Sequence, residues 1–233
     1  MVRRILPGLL AVALVAGPVG AVVLASLLDA VAGNARAARA LRADVVITRG
    51  DARTTAVLLL WRDVLYLETA GFRALVRGDK AVVVRGGHAV RAPVRTLIPG
   101  TDLLLEELPF AGVPLRYPQI QDEGPGEVVV SGAPEGPSLY VLIARTIDPE
   151  RAIVVSTKYY KDDIAVLFKM RQDRAFTRVD GRWRPGEVEV EDFSEHSTTR
   201  LALAWKLAPD LPRAVFTPRG LRGPSGLMLP AAP

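Results

Sequence analysis

Apolar side chains occupy nearly every second position from Ile153 to Trp205. Because successive side chains of a strand point to opposite faces, this period of two predicts long amphipathic strands. Along residues 164–171, one predicted face carries Ile164, Val166, Phe168 and Met170, while the other carries Lys169 and Arg171. The pattern predicts a wide, curved antiparallel sheet whose apolar face must be covered by other parts of the chain or by a bound ligand.

A β-hairpin is predicted at Asp180-Gly181, between residues 176–179 and 182–184. A type I′ turn needs positive φ at both central residues, and Asp-Gly is one of the pairs that adopt it most readily. The period of two continues through residues 187–191 and 199–205, which predicts two further strands.

The N-terminal half predicts one helix followed by a meander of strands. Leu27, Leu28, Val31, Ala35, Ala38 and Leu41 recur at helical spacing, which predicts an amphipathic helix from Ser26 to Arg42. From Ala43 the period changes to two, and turn pairs such as Gly78-Asp79 separate short strands as far as Arg91. The sheet pattern resumes at Glu127.

The stretch from Pro93 to Pro125 breaks the strand pattern, since prolines punctuate it repeatedly. One short helix is predicted inside it, from Thr101 to Leu108, with Thr101 as its cap. We interpret the stretch as an insertion that covers the sheet. The predicted fold class is therefore mainly β with helices (α+β).

The N-terminus has the pattern of an export signal. Arg3 and Arg4 precede an apolar run from Ile5 to Leu28. Cleavage after Ala21 or Ala25 gives a free domain, whereas the intact run is about as long as the ~20 residues that span a bilayer. Either way the folded part lies outside the cytoplasm. We predict a signal peptide or membrane anchor over residues 1–25, a folded domain over 26–221, and a disordered tail over 222–233.

Composition narrows the possible functions. The 233 residues are 49% hydrophobic and 24% charged, which fits one globular domain plus the leader. Cysteine is absent, which excludes a disulfide framework, a thiolate metal site, and the cysteine acylation that marks a bacterial lipoprotein. The net charge of +5 is spread along the strands without an aromatic-basic motif, so we interpret it as a solvated surface and predict no nucleic-acid partner.

The sequence offers no catalytic or metal-binding constellation. His88 and His196 are the two histidines, and each lies in a predicted turn without a metal-ligand partner or a Ser-Asp arrangement. Glu187, Glu189 and Glu191 alternate with valines, which predicts a solvent-facing row rather than a glycosidase pair. No glycine-rich phosphate cradle opens a helix. We predict a protein without enzymatic activity, metal or cofactor.

Several short strings follow one another in a particular order. They are Leu41-Arg42-Ala43-Asp44, Tyr159-Tyr160-Lys161-Asp162, Asp180-Gly181-Arg182-Trp183-Arg184-Pro185, Asp210-Leu211-Pro212 and Val215-Phe216-Thr217-Pro218. Over about residues 27 to 221 this order resembles the outer membrane lipoprotein-sorting family, the LolA-like and LolB-like carriers. The resemblance implies an incomplete antiparallel β-barrel with an N-terminal helix and a helical lid insertion. It also implies an apolar concavity that shelters the acyl chains of a lipoprotein crossing the periplasm, without catalysis.

The resemblance suggests site residues as well. In the family an arginine at the start of an early strand holds the lid by hydrogen bonds, and Arg62 occupies the matching place. Its other interpretation is an exposed turn arginine facing Asp63. The candidate lipid-cavity residues are Val57, Leu59, Trp61, Val141, Ile143, Phe168, Met170, Leu201, Leu203 and Trp205. The same alternation also builds an ordinary packed core, and the sequence does not separate a lined cavity from a filled one.

Two functional hypotheses follow. The first is a periplasmic carrier that binds the acyl chains of lipoproteins or another lipid, with an inner-membrane exporter or an outer-membrane acceptor as possible partners. The second is a sensor or interaction module of the same fold, tethered to the inner membrane by an uncleaved leader. Loss of the first 21 to 25 residues from the mature protein would favour the carrier, and their retention would favour the tethered module.

Overall fold

The computed structural model describes residues 18–85, 87–124 and 126–222. Most of the predicted leader and nearly all of the predicted tail lie outside these residues. The described residues form one α-helix and fifteen strands. They are α1 (Pro18–Ala35), β1 (Ala37–Arg49), β2 (Ala52–Arg62), β3 (Val64–Thr69), β4 (Phe72–Arg77), β5 (Lys80–Arg85), β6 (His88–Ala92), β7 (Leu115–Gly124), β8 (Glu127–Pro134), β9 (Leu142–Asp148), β10 (Ile153–Tyr160), β11 (Lys169–Arg174), β12 (Thr177–Val179), β13 (Arg182–Arg184), β14 (Glu187–Asp192) and β15 (Ser197–Leu207).

Thirteen strands form one antiparallel sheet in the order β6-β5-β4-β3-β2-β1-β15-β14-β11-β10-β9-β8-β7. The long strand β1 is central because it pairs with β2 on one side and with β15, near the C-terminus, on the other. β6 and β7 are the two edges, so the sheet is open. The prediction of a mainly β fold with an unclosed antiparallel sheet is confirmed.

The predicted N-terminal helix is wrong at its C-terminal end. α1 ends at Ala35, and the next residues belong to β1, where Leu41 pairs with both Leu60 and Leu207. A residue flanked by two ladders gains backbone hydrogen bonds on both sides, which outweighs the helical spacing of Ala38 and Leu41.

The predicted insertion is shorter than expected and contains little helix. Residues 115–124, assigned to it from the sequence, form the edge strand β7. In place of a helix from Thr101 to Leu108, the structure has a single 3₁₀ turn at Leu105–Glu107. Residues 93–114 therefore form an irregular segment, which we call the covering segment.

The predicted hairpin at Asp180-Gly181 is confirmed. The φ angles of the two residues are 53° and 73°, and they join β12 to β13. The hairpin holds the C-terminal end of α1, because the fully buried Arg184 donates to the backbone oxygens of Asn34 at 2.7 Å and Arg36 at 2.6 Å. Burial lowers the pKa of Arg184 to about 10. A cation at this end also complements the helix dipole.

Each face of the sheet has its own cover. We call the face under α1 and the covering segment the inner face. The opposite face, the outer face, packs under the C-terminal residues 211–221 where it spans β2 to β5. Since β2 is covered on both sides, Leu58 belongs to the inner core and Leu59 to the outer one.

Candidate functional site

The inner face divides into an apolar half and a charged half. The apolar half lies over β1 to β5 and the neighbouring ends of β14 and β15. Its buried residues are Leu41, Ala43, Val45, Ile47, Ala56, Leu58, Leu60, Leu65, Leu67, Ala74, Val76, Ala81, Val83, Val188, Val190, Leu201 and Leu203. Burying one such leucine or valine gives about 1.5–3 kcal/mol, so this half contributes strongly to the stability of the sheet.

The charged half lies over β9, β10, β11, the end of β14 and the start of β15. Its buried members are Arg145, Thr157, Lys169, Arg171, Asp173, Asp192 and Thr199. Register places them on one face, because Lys169 pairs with Asp192 and Arg171 pairs with Val190 of the inner core.

The sequence suggested the opposite arrangement for β11, with Met170 among the cavity-lining residues. Lys169 is 2% exposed and Arg171 is 5% exposed, whereas Ile164 is 67% exposed and Val166 is 62% exposed. The strand begins only at Lys169, so the alternation read from residue 164 spans a turn and carries no information on the face. Met170, which pairs with Lys158 on the outer face, is half-buried.

The covering segment fills the inner face with side chains of its own. Val94, Ile98, Leu103, Leu105 and Leu108 enter the apolar core. Most of its backbone-to-backbone hydrogen bonds are internal, including Ile98 N to Leu103 O at 2.8 Å and Leu105 N to Thr96 O at 3.0 Å. The segment thus behaves as a compact plug over the sheet.

Asp102 is the first polar contact between the covering segment and the sheet. Its carboxylate accepts from the hydroxyls of Thr199 at 2.7 Å and Ser197 at 2.8 Å, and pairs with Arg49 at 2.7 Å. Its backbone amide donates to Thr199 at 2.9 Å. Burial alone would raise the pKa of Asp102, but these donors outweigh burial and lower it.

Glu107 is the second contact and is more deeply buried. It accepts from the Tyr140 hydroxyl and from the Leu104 amide at 2.6 Å, and its Oε1 lies 3.5 Å from the ammonium of Lys169. Burial raises the pKa of Glu107, although Lys169, Tyr140 and Leu104 act against it. Lys169 also donates to the Asp102 backbone oxygen.

Arg171 completes this polar contact. It donates to the backbone oxygen of Glu107 and is fixed by Asp173 through two bonds of 2.7 and 2.8 Å. We call Asp102, Glu107, Lys169 and Arg171 the polar latch.

Side chains make most of the contacts between the covering segment and the sheet. Among the described residues, the backbone bond from Glu135 N to Pro114 O, at 2.7 Å, joins the end of the segment to β8, and no β-ladder runs between segment and sheet. Displacing the segment therefore breaks the latch and exposes apolar side chains, but the backbone hydrogen bonds between the paired strands of the sheet stay intact.

Gly112 lets the covering segment approach a buried cation. A Cβ added there would lie 2.5 Å from Nη2 of Arg145, and its φ of +69° is itself unfavourable for other residues. Arg145 donates to the Val113 backbone oxygen, while its Nε has no hydrogen-bond partner within the described part of the chain. Burial lowers the pKa of Arg145 to about 10.

A cleft of about 210 Å³ opens beside the apolar half of the inner face. It lies between α1, the β2–β3 turn and the end of the covering segment. The lining residues are Ala32, Ala35, Arg36, Leu60, Asp63, Leu65, Gly78, Pro109, Phe110, Ala111, Gly112 and Pro114. The cleft leads from solvent to Leu60 and Leu65, both members of the inner core.

The predicted cavity residues do not all share a face. Leu201, Leu203 and Trp205 lie with the inner core, and Ile143 lies on the inner face beside Tyr140. Val57, Leu59 and Trp61 lie on the outer face. Phe168 is half-buried, with its ring centroid 6.3 Å from that of Tyr140, and Val141 is 48% exposed.

Arg62 lies at the end of β2, exposed, with φ of 55°. Its guanidinium carbon is 4.8 Å from the centroid of the Trp61 ring, on the outer face. Within the described residues it donates no hydrogen bond to the covering segment. The lid-closing role of Arg62 stays a prediction.

Sequence reasoning missed the polar latch. Two signals were present: Lys169, Arg171 and Asp173 alternate along one strand, and Glu106-Glu107 interrupts an otherwise apolar run in the insertion. A buried charge needs a partner of opposite charge, so basic residues on a buried strand and acidic residues in an apolar segment indicate that the two pair with each other.

Other chemistry is sparse in the described part of the chain. His88 and His196 are exposed, and no group of three potential metal-ligating side chains occurs among the residues described. Within the same ranges, no helix combines the length and apolarity needed to cross a bilayer.

Comparison with solved structures identifies the fold. The chain superposes on a putative outer membrane lipoprotein-sorting protein domain from Vibrio parahaemolyticus with a TM-score of 0.66 and 13% identity, over 85% of this chain and 97% of that one. A LolA superfamily protein from Nitrosomonas europaea gives 0.65 and 16%, over 83% and 96%. A DUF1329 family protein from Desulfovibrio piger gives 0.66 and 15%, over 84% and 98%.

The same comparison confirms the resemblance suggested by the sequence strings at the level of the fold. No protein-family model and no curated protein matches the sequence.

Proposed function

We propose that this protein is an exported, periplasmic carrier that binds the acyl chains of a lipoprotein or another lipid on the inner face of its sheet. The observation that carries the proposal is the broad apolar half of the inner face. It is covered by a segment that is attached to the sheet mainly through side-chain contacts. The LolA-like fold supports the same function. The domain predicted over residues 26–221 would shelter the chains, and no catalysis is involved.

The energetics suit a displaceable cover. Each acyl CH₂ withdrawn from water gains about 0.8 kcal/mol, so a chain of about 14 methylene groups gains about 11 kcal/mol when fully buried. The acyl chain would replace Leu103, Leu105 and Leu108 against the apolar half. Entry through the cleft at Leu60 and Leu65 would let displacement begin at the end of the covering segment.

A second function is favoured by one observation. The covering segment fills the inner face, and one side of that face carries buried charged residues, which suits a closed interaction module as well as a carrier. In that case the leader would stay as an inner-membrane tether. The partner would bind the exposed surface and leave the covering segment in place.

A reversible disulfide tests the carrier function. The chain has no cysteine, and Thr199 Oγ1 lies 2.7 Å from Asp102 Oδ2, so Asp102→Cys/Thr199→Cys would join the covering segment to β15. The reduced form should bind an uncharged fluorescent acyl ester, which lacks the anionic head group of a free fatty acid, and retain diacyl lipid detectable by mass spectrometry. The oxidised form should do neither, because the segment can no longer move.

Matched controls keep the result interpretable. Each single-cysteine variant should bind the probe equally with and without reductant, and circular dichroism should show that the double variant is folded in both states. Equal binding by the oxidised and reduced forms would contradict the carrier proposal. Absence of lipid from every preparation, the wild type included, would favour the interaction module.

A further inference from the structure

A second cleft lies on the outer face, across the sheet from the covering segment. Its volume is about 280 Å³, just below the roughly 300–1,000 Å³ of typical ligand pockets. The lining residues are Ala38, Arg39, Ala40, Trp61, Pro209, Leu211, Arg213 and Phe216. The start of β1 and the end of β2 form one wall, and the C-terminal segment forms the other.

The floor of this cleft is aromatic and apolar. The rings of Trp61 and Phe216 meet with centroids 5.7 Å apart and tilted by 44°. Ala40 and Leu211 pack against the same outer cluster. The floor thus offers a surface for an apolar chain or ring.

Two arginines contact the indole of Trp61: Arg213, which lines the cleft, and Arg62, which lies beside it at the end of β2. The guanidinium carbons of Arg62 and Arg213 lie 4.8 Å and 5.6 Å from the centroid of Trp61. Within the residues described, neither forms an ion pair, whereas the third arginine, Arg39, donates to Asp180 at 2.8 Å. A cation–π contact occupies one face of a guanidinium. The N–H donors, which lie in the plane of the guanidinium, stay available for hydrogen bonds to a ligand.

We propose that the outer cleft binds a single-chain anionic amphiphile, with a carboxylate or phosphate head between Arg62 and Arg213 and its chain on Trp61 and Phe216. Guanidinium groups bind both anions through paired hydrogen bonds. The site needs neither the polar latch nor movement of the covering segment. It is therefore independent of the proposed inner-face function and gives Arg62 a role in ligand binding.

Calorimetric titration of the full chain tests the site with dodecanoate, dodecyl phosphate and dodecyltrimethylammonium, each below its micelle concentration. Both anionic probes, or one of them, should bind, and the cationic probe with the same tail should not. The comparison between the two anions identifies the preferred head group. Added salt should weaken binding, since the arginines are solvent-accessible.

Variants separate the head group from the chain. Arg62→Gln/Arg213→Gln should weaken anion binding by about tenfold or more, as the loss of charge-assisted hydrogen bonds requires. Ala38→Phe should block the cleft while keeping both arginines. The matched control, Arg53→Gln, removes the same charge from the exposed opposite end of β2 and should leave binding unchanged.

The inner-face disulfide distinguishes the two sites. Oxidation of Asp102→Cys/Thr199→Cys should leave dodecyl phosphate and dodecanoate binding at the outer cleft intact. Equal binding of anionic and cationic probes, or anion binding that the cleft variants do not change, would overturn the outer-cleft proposal. Anion binding lost on oxidation would overturn it too and assign the probe to the inner face. Competition by an acidic peptide that the free amphiphiles cannot match would show that the cleft serves a protein partner instead.

Discussion

Lys169→Met is expected to lower the free energy of unfolding by about 3–5 kcal/mol at pH 7. Lys169 is 2% exposed, and its ammonium lies 3.5 Å from an oxygen of Glu107 and 3.5 Å from one of Asp192. Methionine keeps much of the apolar stem and removes the charge. Removing one partner from a buried ion pair typically costs about 3–5 kcal/mol, because the remaining charge stays buried without compensation.

The cost should depend on pH through Glu107. Asp192 keeps the amides of Ser194 and Glu195 as donors, whereas burial already raises the pKa of Glu107 above its ordinary value of 4.5. Loss of Lys169 raises the pKa of Glu107 further. A carboxyl group whose folded-state pKa is raised destabilises the folded state above that pKa, and the penalty falls as pH drops through it. The variant should therefore approach the wild-type stability as the pH falls from 7 toward 4.5.

Urea unfolding followed by circular dichroism, at pH 7 and at about pH 5, measures both effects. The double variant Lys169→Met/Glu107→Gln should cost less than the sum of the single variants, since it removes both charges together. Lys158→Met is the matched control, because Lys158 is exposed on the neighbouring strand, and it should change stability by less than about 0.5 kcal/mol. A cost below about 1 kcal/mol for Lys169→Met, or strict additivity in the double variant, would refute a stabilising latch.

Three further changes test the cover and the helix. Gly112→Ala should destabilise by about 1–3 kcal/mol more than Gly100→Ala in urea unfolding, because both have positive φ but a Cβ at residue 112 alone meets the buried guanidinium. Asp102→Asn should cost about 2 kcal/mol at pH 7. The loss should shrink and vanish as the pH falls from the ordinary pKa of 3.8 through the lower pKa of the folded state, because the ionised carboxylate then becomes protonated in both states. Arg184→Met should speed amide exchange in the last turn of α1, whereas Arg178→Met, exposed on the same hairpin, should not.

The sequence predicts a strand well where one face of the strand is buried and the other is exposed to solvent. The period of two and the Asp-Gly pair give the hairpin at Asp180-Gly181 and the central strand β15, because register and turn chemistry are local properties. The order of short strings also leads to the LolA-like fold. The strands and the hairpin depend on residues that are neighbours along the chain.

The face that a strand presents is not local when both faces are covered. Residues 56 to 60 are buried throughout, so β2 offers no alternation by which Val57 and Leu59 could be separated from Leu58. The C-terminal segment that covers Val57 and Leu59 lies about 150 residues later in the chain. Likewise, the charges of β11 are inward because the covering segment provides the carbonyls and carboxylates that receive them. Long-range partners therefore decide the assignment.

The two halves of the inner face imply a division of labour in the proposed carrier. Apolar burial favours the lipid-bound and the closed state alike, because an acyl chain and Leu103 or Leu105 compete for the same surface. The polar latch, by contrast, is intact only when the covering segment is in place. The contacts that the covering segment makes with Lys169 and Arg171 therefore set the difference in free energy between the closed and the lipid-bound state. That difference controls how tightly lipid is held. Weakening the latch without unfolding the sheet should raise lipid affinity, whereas enlarging the apolar surface should stabilise both states together.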